Sequence, residues 1–433
     1  MAALTALAPD RQAFIAPKIF SGVVTVRKSA NRMTQSEIQA YRQAVYRVSR
    51  ISAQNLTDNR GYQWVAGIHG VPQGLCKHGV PSFALWHRPY VQQYEQVLQD
   101  AVPAAFVPYW NWTKDRAIPQ IFLDPTWQNP DTNQVEPNPL LAQPINGSGA
   151  TQRDPGNSSE LISDAGLVSQ ALLARDYDAF SPDLENPHNN VHGWVGGSMG
   201  SIGTAAYDPL FWSHHCFIEY LFCQWQDAHT AAVEPASVTA TDLIPFGVTV
   251  DQIWYYKKLG YTYESDTAAR LTLSSHGAES PPVVTLISGS TVTFLPIASI
   301  DPTFVRAELR FEGLTLPEAT FELRVFAGEP KANASTAIEN NVHYLGSQHF
   351  FGHGGCFGAP GHCEPIDRDI FDLRPKHHYD PVRVRLNVTR RFRTLIAQQQ
   401  GREVPITLVA VDPKGQELIT PGLHFEGLTI VIT

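Results

Sequence analysis

His188 and His192 stand four residues apart in the segment His188-Asn189-Asn190-Val191-His192, and His214 and His215 follow a glycine-rich turn. Two histidines at i and i+4 lie on one face of a helix, so their imidazoles can converge on one ion. A third histidine from the next helix completes a three-nitrogen set. Taken alone, the pair fits equally well two hydrogen-bonded histidines on a helix surface. A second set upstream, His69, His78 and His87, weighs against that reading and points to two metal ions side by side. All-imidazole coordination suits copper, zinc, iron or nickel rather than magnesium or calcium.

Several elements must position these rings. Thr34-Gln35-Ser36-Glu37 reads as a capping box, and Ile38, Tyr41, Val45 and Val48 recur at helical spacing, so a helix is expected over 35–51. His87 opens a buried helix whose inner face continues through Tyr90, Tyr94 and Val97. Glu95 lies close to the same face and is expected to orient a histidine or to pair with Arg88. Residues 107–160 read as loop, with an aromatic cluster at Tyr109-Trp110-Asn111-Trp112 and a long surface excursion over 124–157. Phe217, Tyr220, Leu221 and Trp225 suggest a helix after His215. Beyond it, Ala/Thr-rich segments with Pro235, Pro245, Pro281 and Pro282 mark a connector, pinned by Trp254-Tyr255-Tyr256. The periodicity then becomes two, and 291–295, 321–326, 382–386, 406–411 and 428–432 read as strands. The expected fold class is α + β multidomain: a mainly helical domain with a helix-bundle core over 1–230, a connector over 231–282, and a C-terminal β-sandwich over 283–433.

The chain has 433 residues, enough for two or three domains, and a formal net charge of −9. That charge argues against nucleic acid and anionic membranes, which need a basic face. No apolar run reaches the ~20 residues of a membrane span. Five cysteines do not make a disulfide framework. The first ten residues carry no basic segment followed by a long apolar one, so the expected compartment is the cytoplasm, or the exterior if the N-terminus is incomplete.

At this point the motifs match a family. His78, Phe83, Trp86-His87-Arg88 and Glu95 resemble the first-copper signature of the type-3 copper proteins: tyrosinases, catechol oxidases and molluscan hemocyanins. Asp208-Pro209, Phe211 and His215 resemble the second-copper signature, with Glu219 where the family carries aspartate. The resemblance covers roughly 30–230. The strand region looks like the C-terminal domain of hemocyanin units and of some latent tyrosinases. The resemblance implies two copper ions, one held by His69, His78 and His87, the other by His188, His192 and His215, with His214 outside the set. It also implies dioxygen as co-substrate. An enzyme of this kind hydroxylates monophenols or oxidises o-diphenols to o-quinones, whereas a carrier releases the oxygen again. Cys76, two residues before His78, is implied as a thioether partner of that ring; read by itself it is a buried free thiol.

The expected function is therefore a tyrosinase or catechol oxidase acting on small phenols, in a chain that holds one unit and begins at a methionine. A dioxygen-binding hemocyanin unit is the alternative. A histidine-ligated zinc hydrolase leaves the Cys76 and His78 pair and the six histidines unexplained. In monophenol-oxidising members of the family, residues placed like Glu185 and Asn189 hold a water that could deprotonate the phenol. By themselves, Asn189 fits a helix-surface hydrogen bond and Glu185 a helix N-terminal charge. Residues 346–352 resemble the hemocyanin segment whose apolar side chain overlies the copper pair. Phe351, or its neighbour Phe350, is thus expected to plug the site and keep the enzyme latent until the C-terminal domain moves or an activating protease removes it. His353, Cys356, His362 and Cys363 suit a disulfide or loop staple, or a copper-loading site that uses soft sulfur. The reading is compatible with a homo-oligomer.

Overall fold

The computed structural model describes residues 24–146, 149–156, 161–264, 283–287, 292–296, 303–355, 381–398, 403–418 and 423–432. Its first part is mainly helical. Thr34 accepts the Glu37 N–H while Glu37 accepts the Thr34 N–H at 2.8 Å, and this closed capping box starts α1 (Gln35–Gln54). The apolar stripe Tyr41, Val45 and Val48 is buried, as the helical spacing requires. There follow α2 (Tyr62–His69), α3 (Phe83–Ala101), α4 (Ile162–Ala171), α5 (Tyr177–Val195), the short α6 (Ile202–Ala205), α7 (Pro209–Ala228) and the short α8 (Val250–Ile253). α3 packs on α1, α5 and α7 around one apolar core.

Two features lie where only loop was expected. A hairpin of β2 (Thr126–Asn129) and β3 (Gln134–Pro137) folds within 107–160, with Asn133 turning at φ 56°. The other is the connector itself. Within it, β4 (Tyr261–Tyr263) runs parallel to β1 (Thr25–Arg27), so it is tied back to the start of the described chain. Trp254 and Tyr256 are buried as expected, and Tyr255 between them is exposed.

The remaining residues build two four-stranded antiparallel sheets. One has the order β10 (Val382–Asn387), β7 (Ala307–Leu314), β12 (Gly427–Ile432), β5 (Val283–Ile287). The other has the order β6 (Val292–Pro296), β11 (Glu403–Val411), β8 (Phe321–Ala327), β9 (Tyr344–Phe350). Leu309, Phe311 and Ile430 of the first share a core with Leu323, Val325 and Ile406 of the second. α9 (Thr389–Gln398) packs on β7 and β9. The period-two pattern missed β7 because Glu308 is buried and breaks the alternation; Arg306 and Arg310 pair with it at 2.6 and 2.9 Å.

Candidate metal centre

The inward histidines arrive on four helices and one loop. His69 closes α2, His78 lies in the loop after it, and His87 sits in the second turn of α3. His188 and His192 lie one turn apart on α5, and His214 and His215 on α7. α5 starts at Asp176, whose carboxylate takes the Ala179 N–H at 2.8 Å, and stops at Gly196, where φ is 61°. A Cβ at Gly196 would lie 2.6 Å from the Asp154 carbonyl oxygen, so this turn requires glycine. The turn brings the Met199 carbonyl to His192 Nδ1 at 2.9 Å. α7 is capped by Asp208, which accepts the Leu210 N–H at 2.9 Å and is held by Arg153 at 2.6 Å, with Pro209 in the first helical position.

The ring nitrogens converge in two adjoining groups. Nε2 of His78 is 3.2 Å from Nε2 of His69, and Nε2 of His188 is 3.2 Å from that of His215 and 3.1 Å from that of His192. The groups touch through the stacked rings of His87 and His215, whose centroids are 4.4 Å apart. Nδ1 of His69, His87 and His192 faces the carbonyls of Ile202, Phe83 and Met199, and His188 Nδ1 faces Asn189 Oδ1 at 2.9 Å. These oxygens only accept, so Nδ1 carries the proton and Nε2 turns a lone pair inward. Lone pairs this close repel one another unless a cation lies among them.

Protonation does not supply that cation. Burial, with the neighbouring imidazoles adding to it, holds His69, His78, His188 and His215 far below the ordinary histidine range, and burial drives His87 and His192 down to about 3. His87 Nε2 is buried with no hydrogen-bond partner. Neutral rings, inward lone pairs and an orphaned nitrogen fit metal ligation, and the two histidine triads are able to bind a dicopper site. His214 lies within reach of the second group, but Trp112 Nε1 donates to its Nδ1 at 3.0 Å. Its proton therefore sits on Nε2, the nitrogen a metal would need.

Glu185 and Asn189, one turn apart on α5, flank the rings. Glu185 Oε1 accepts the Gly79 N–H at 2.6 Å and lies 3.4 Å from His78 Nδ1; burial pushes its carboxyl up to about 8. Asn189 Nδ2 donates to the His349 carbonyl at 2.9 Å. Phe351 stacks on His192 with centroids 4.0 Å apart and planes within 13°. Phe350 does not share this position: alternation along β9 turns it the other way, against Phe321 at 5.1 Å in the core of the sheets. Cys76 is a partly buried free thiol. Cys356, His362 and Cys363 lie outside the described residues, while His353 is buried.

The expected pairing of Glu95 with Arg88 or with a histidine is corrected. Glu95 takes Arg27 at 2.9 Å, and Arg88 takes Glu219 at 2.9 Å. Both carboxylates lie deep between helices, and each meets the guanidinium that its own neighbouring element brings. Asn186 was missed. Its amide binds the Ser347 carbonyl and the His349 N–H, both at 2.8 Å, and fastens β9 to α5; an asparagine among asparagines gives no sequence signal for this.

Residues 59–228 match the family profile described as the common central domain of tyrosinase. Unit D of the hemocyanin beta-C chain of Helix pomatia is 32% identical over 221 residues, covering 47% of this chain and 51% of that one. Across the first relatives matched, the chain spans from 6% to about half of their length. A functional unit of octopus hemocyanin superposes with a TM-score of 0.61 at 20% identity, covering 94% of this chain and 99% of the unit. The tyrosinase of Burkholderia thailandensis superposes with a TM-score of 0.59 at 16% identity, over 89% and 94%. The fold they share is a mainly helical core with sheets. The expectation of a cytoplasmic protein is overturned here. The relatives are hemocyanins, extracellular proteins, which points away from the cytoplasm. Where the sequence begins carries no weight in a chain that spans only part of its relatives. Residues 59–228 thus carry a tyrosinase-family, type-3 copper domain, and dioxygen is used by this family.

Proposed function

We propose that the chain is a dicopper oxidase that hydroxylates monophenols or oxidises o-diphenols to o-quinones. One observation carries this reading: a cavity of about 430 Å³ between α5 and β9–β10, lined by His78, Glu185, Asn189 and Phe351. Dioxygen needs no such space beside the histidines, and a phenol ring does. When bound to His69, His78 and His87 and to His188, His192 and His215, a copper pair supplies the redox and Lewis-acid chemistry that dioxygen requires. The chain supplies the proton handling. A carboxyl held near 8 exchanges its proton close to neutral pH, where a general acid–base group is most effective. In this role Glu185 and Asn189 hold a water that takes the phenol proton, and Asn189 Oδ1 also keeps the His188 ring in its ligating tautomer. Cys76 forms a thioether from its sulfur to a ring carbon of His78 in the mature protein, the two hydrogens and two electrons lost from S–H and C–H being taken by dioxygen, the co-substrate, and the product is lighter by two hydrogens.

In the same reading, residues 1–230 are the catalytic domain, 231–282 the connector, and 283–433 a β-sandwich that shields the site through Phe351. Dioxygen carriage is the second reading, favoured by the ring of Phe351 lying flat on His192 and by the hemocyanin relatives. Oxygen uptake with a monophenol separates the two, measured on copper-loaded protein, on Phe351→Ala, and after proteolysis between 265 and 282. Metal analysis confirms that each form keeps its copper. The oxidase reading expects turnover to rise at least roughly tenfold when Phe351 is removed, a barrier lowered by about 1.4 kcal/mol. Reversible oxygenation without turnover in any of the three forms would assign the chain to the carriers.

A further inference from the structure

A larger cavity, about 780 Å³, lies away from the two histidine triads, between α4–α5 on one side and β9, β10 and α9 on the other, with His349 in its lining. Its floor is apolar: Leu345, Leu386 and Val388 are each 1% exposed. Its walls include Leu173 and Val305, large apolar side chains left open to solvent at 48% and 44% exposed. The rim is basic. Arg390, Arg391 and Arg393 fall within the first five residues of α9, and among the described residues none of them forms an ion pair. Arg391 lies over the Tyr344 ring at 4.6 Å, and Arg393 donates to the Phe304 carbonyl at 3.1 Å. Arg306 is neutralised by Asp183 and Glu308 at 2.9 and 2.6 Å. Among the described residues Asp176 is the one acid on the lining, and its carboxylate is engaged in capping α5.

Three guanidiniums with no ion pair among the described residues, set over an apolar floor, are unusual in a chain of net charge −9. The first turn of α9 carries no acid, so these cations also face the positive end of their own helix. An anion at the rim would relieve both repulsions, and an apolar body would cover the open leucine and valine. We propose that this cleft binds a small organic carboxylate with an aliphatic tail, its head held by Arg390 and Arg391 and its tail laid over Leu345, Leu386 and Val388. The cavity lies within the ~300–1,000 Å³ range of small-molecule sites. Guanidinium forks match a carboxylate in geometry as well as charge.

The test is titration calorimetry with hexanoate, octanoate and decanoate, each below its micelle-forming concentration, and with 1-octanol as the uncharged counterpart. Affinity should rise about fourfold for each added methylene until the tail fills the cleft. Octanoate should bind more tightly than octanol, and added salt should narrow that difference. The double variant Arg390→Gln/Arg391→Gln should weaken octanoate binding by roughly fivefold or more. Leu173→Glu, at an exposed position, should do the same by placing a like charge in the mouth. Thermal unfolding of each variant identifies any that misfolds, and the other then decides. No measurable binding, equal affinity for octanol and octanoate, or an affinity unchanged in the folded variants would overturn the proposal.

Discussion

The inward histidines are held neutral by burial, and backbone carbonyls at Nδ1 decide which nitrogen faces a metal. The spacing of His188 and His192 made their convergence legible from sequence, because i and i+4 share a helix face. The tautomers were not legible, since the Ile202 and Met199 carbonyls come from loops that only folding brings near. His349, outside both histidine groups, shows what burial costs a histidine. Burial lowers its ring to about 4, from an ordinary value of 6.5. Between those values the unfolded chain takes up a proton that the folded chain refuses, so stability falls as pH drops from 6.5 to 4. The loss is on the order of 3 kcal/mol from this ring alone. His349→Gln should therefore lose less stability over that window than the parent, read as urea midpoints of metal-free protein at both pH values. Equal losses would show that His349 does not titrate as described.

Helices α3 and α7 carry His87 and His215, and a buried ion pair joins them one residue and one turn beyond those rings. Arg88 Nε meets Glu219 Oε1 at 2.9 Å, Arg88 also donates to the Ile253 carbonyl and Gln226, and Tyr261 donates to the same carboxylate at 2.5 Å. Glu219, the departure from the family's aspartate, thus serves packing rather than coordination. Removing one partner of such a pair strands the other charge without water, which costs about 3–5 kcal/mol. Glu219→Gln should lower the free energy of unfolding by that order and speed copper loss to a chelator, because the pair fixes the spacing of the two helices. A variant as stable as the parent would show that the pair contributes nothing net. The helix starts were readable in advance, as Thr34 and Glu37 show. The partners of Arg88 and Glu95 were not, because both are settled by elements more than 60 residues away in sequence.

The helical and strand-rich parts meet where α5 packs on β9. Asn186 and Asn189 bind three backbone groups of Ser347 and His349, so the strand that leads into Phe351 is fastened to the helix that carries His188 and His192. Losing buried hydrogen bonds of this kind costs about 1–3 kcal/mol locally. Asn186→Ala should make amide exchange over 344–351 roughly tenfold faster while leaving α1 unchanged. Unchanged exchange over 344–351 would remove Asn186 from any account of how Phe351 is held.

The sequence by itself determined the histidine sets, the capping of α1 and the change from helical to strand periodicity. Each is a local matter of spacing that survives without any knowledge of neighbours. The same reading foresaw an aromatic over the site but left Phe350 and Phe351 open. Only the tertiary structure chose, because the face a strand residue takes depends on which side packs on the helices. The tertiary structure also decided the ion-pair partners, the burial that keeps the rings neutral, and the two cavities. All of these arise from groups far apart in the chain, brought together by burial of a common core rather than by any short-range preference.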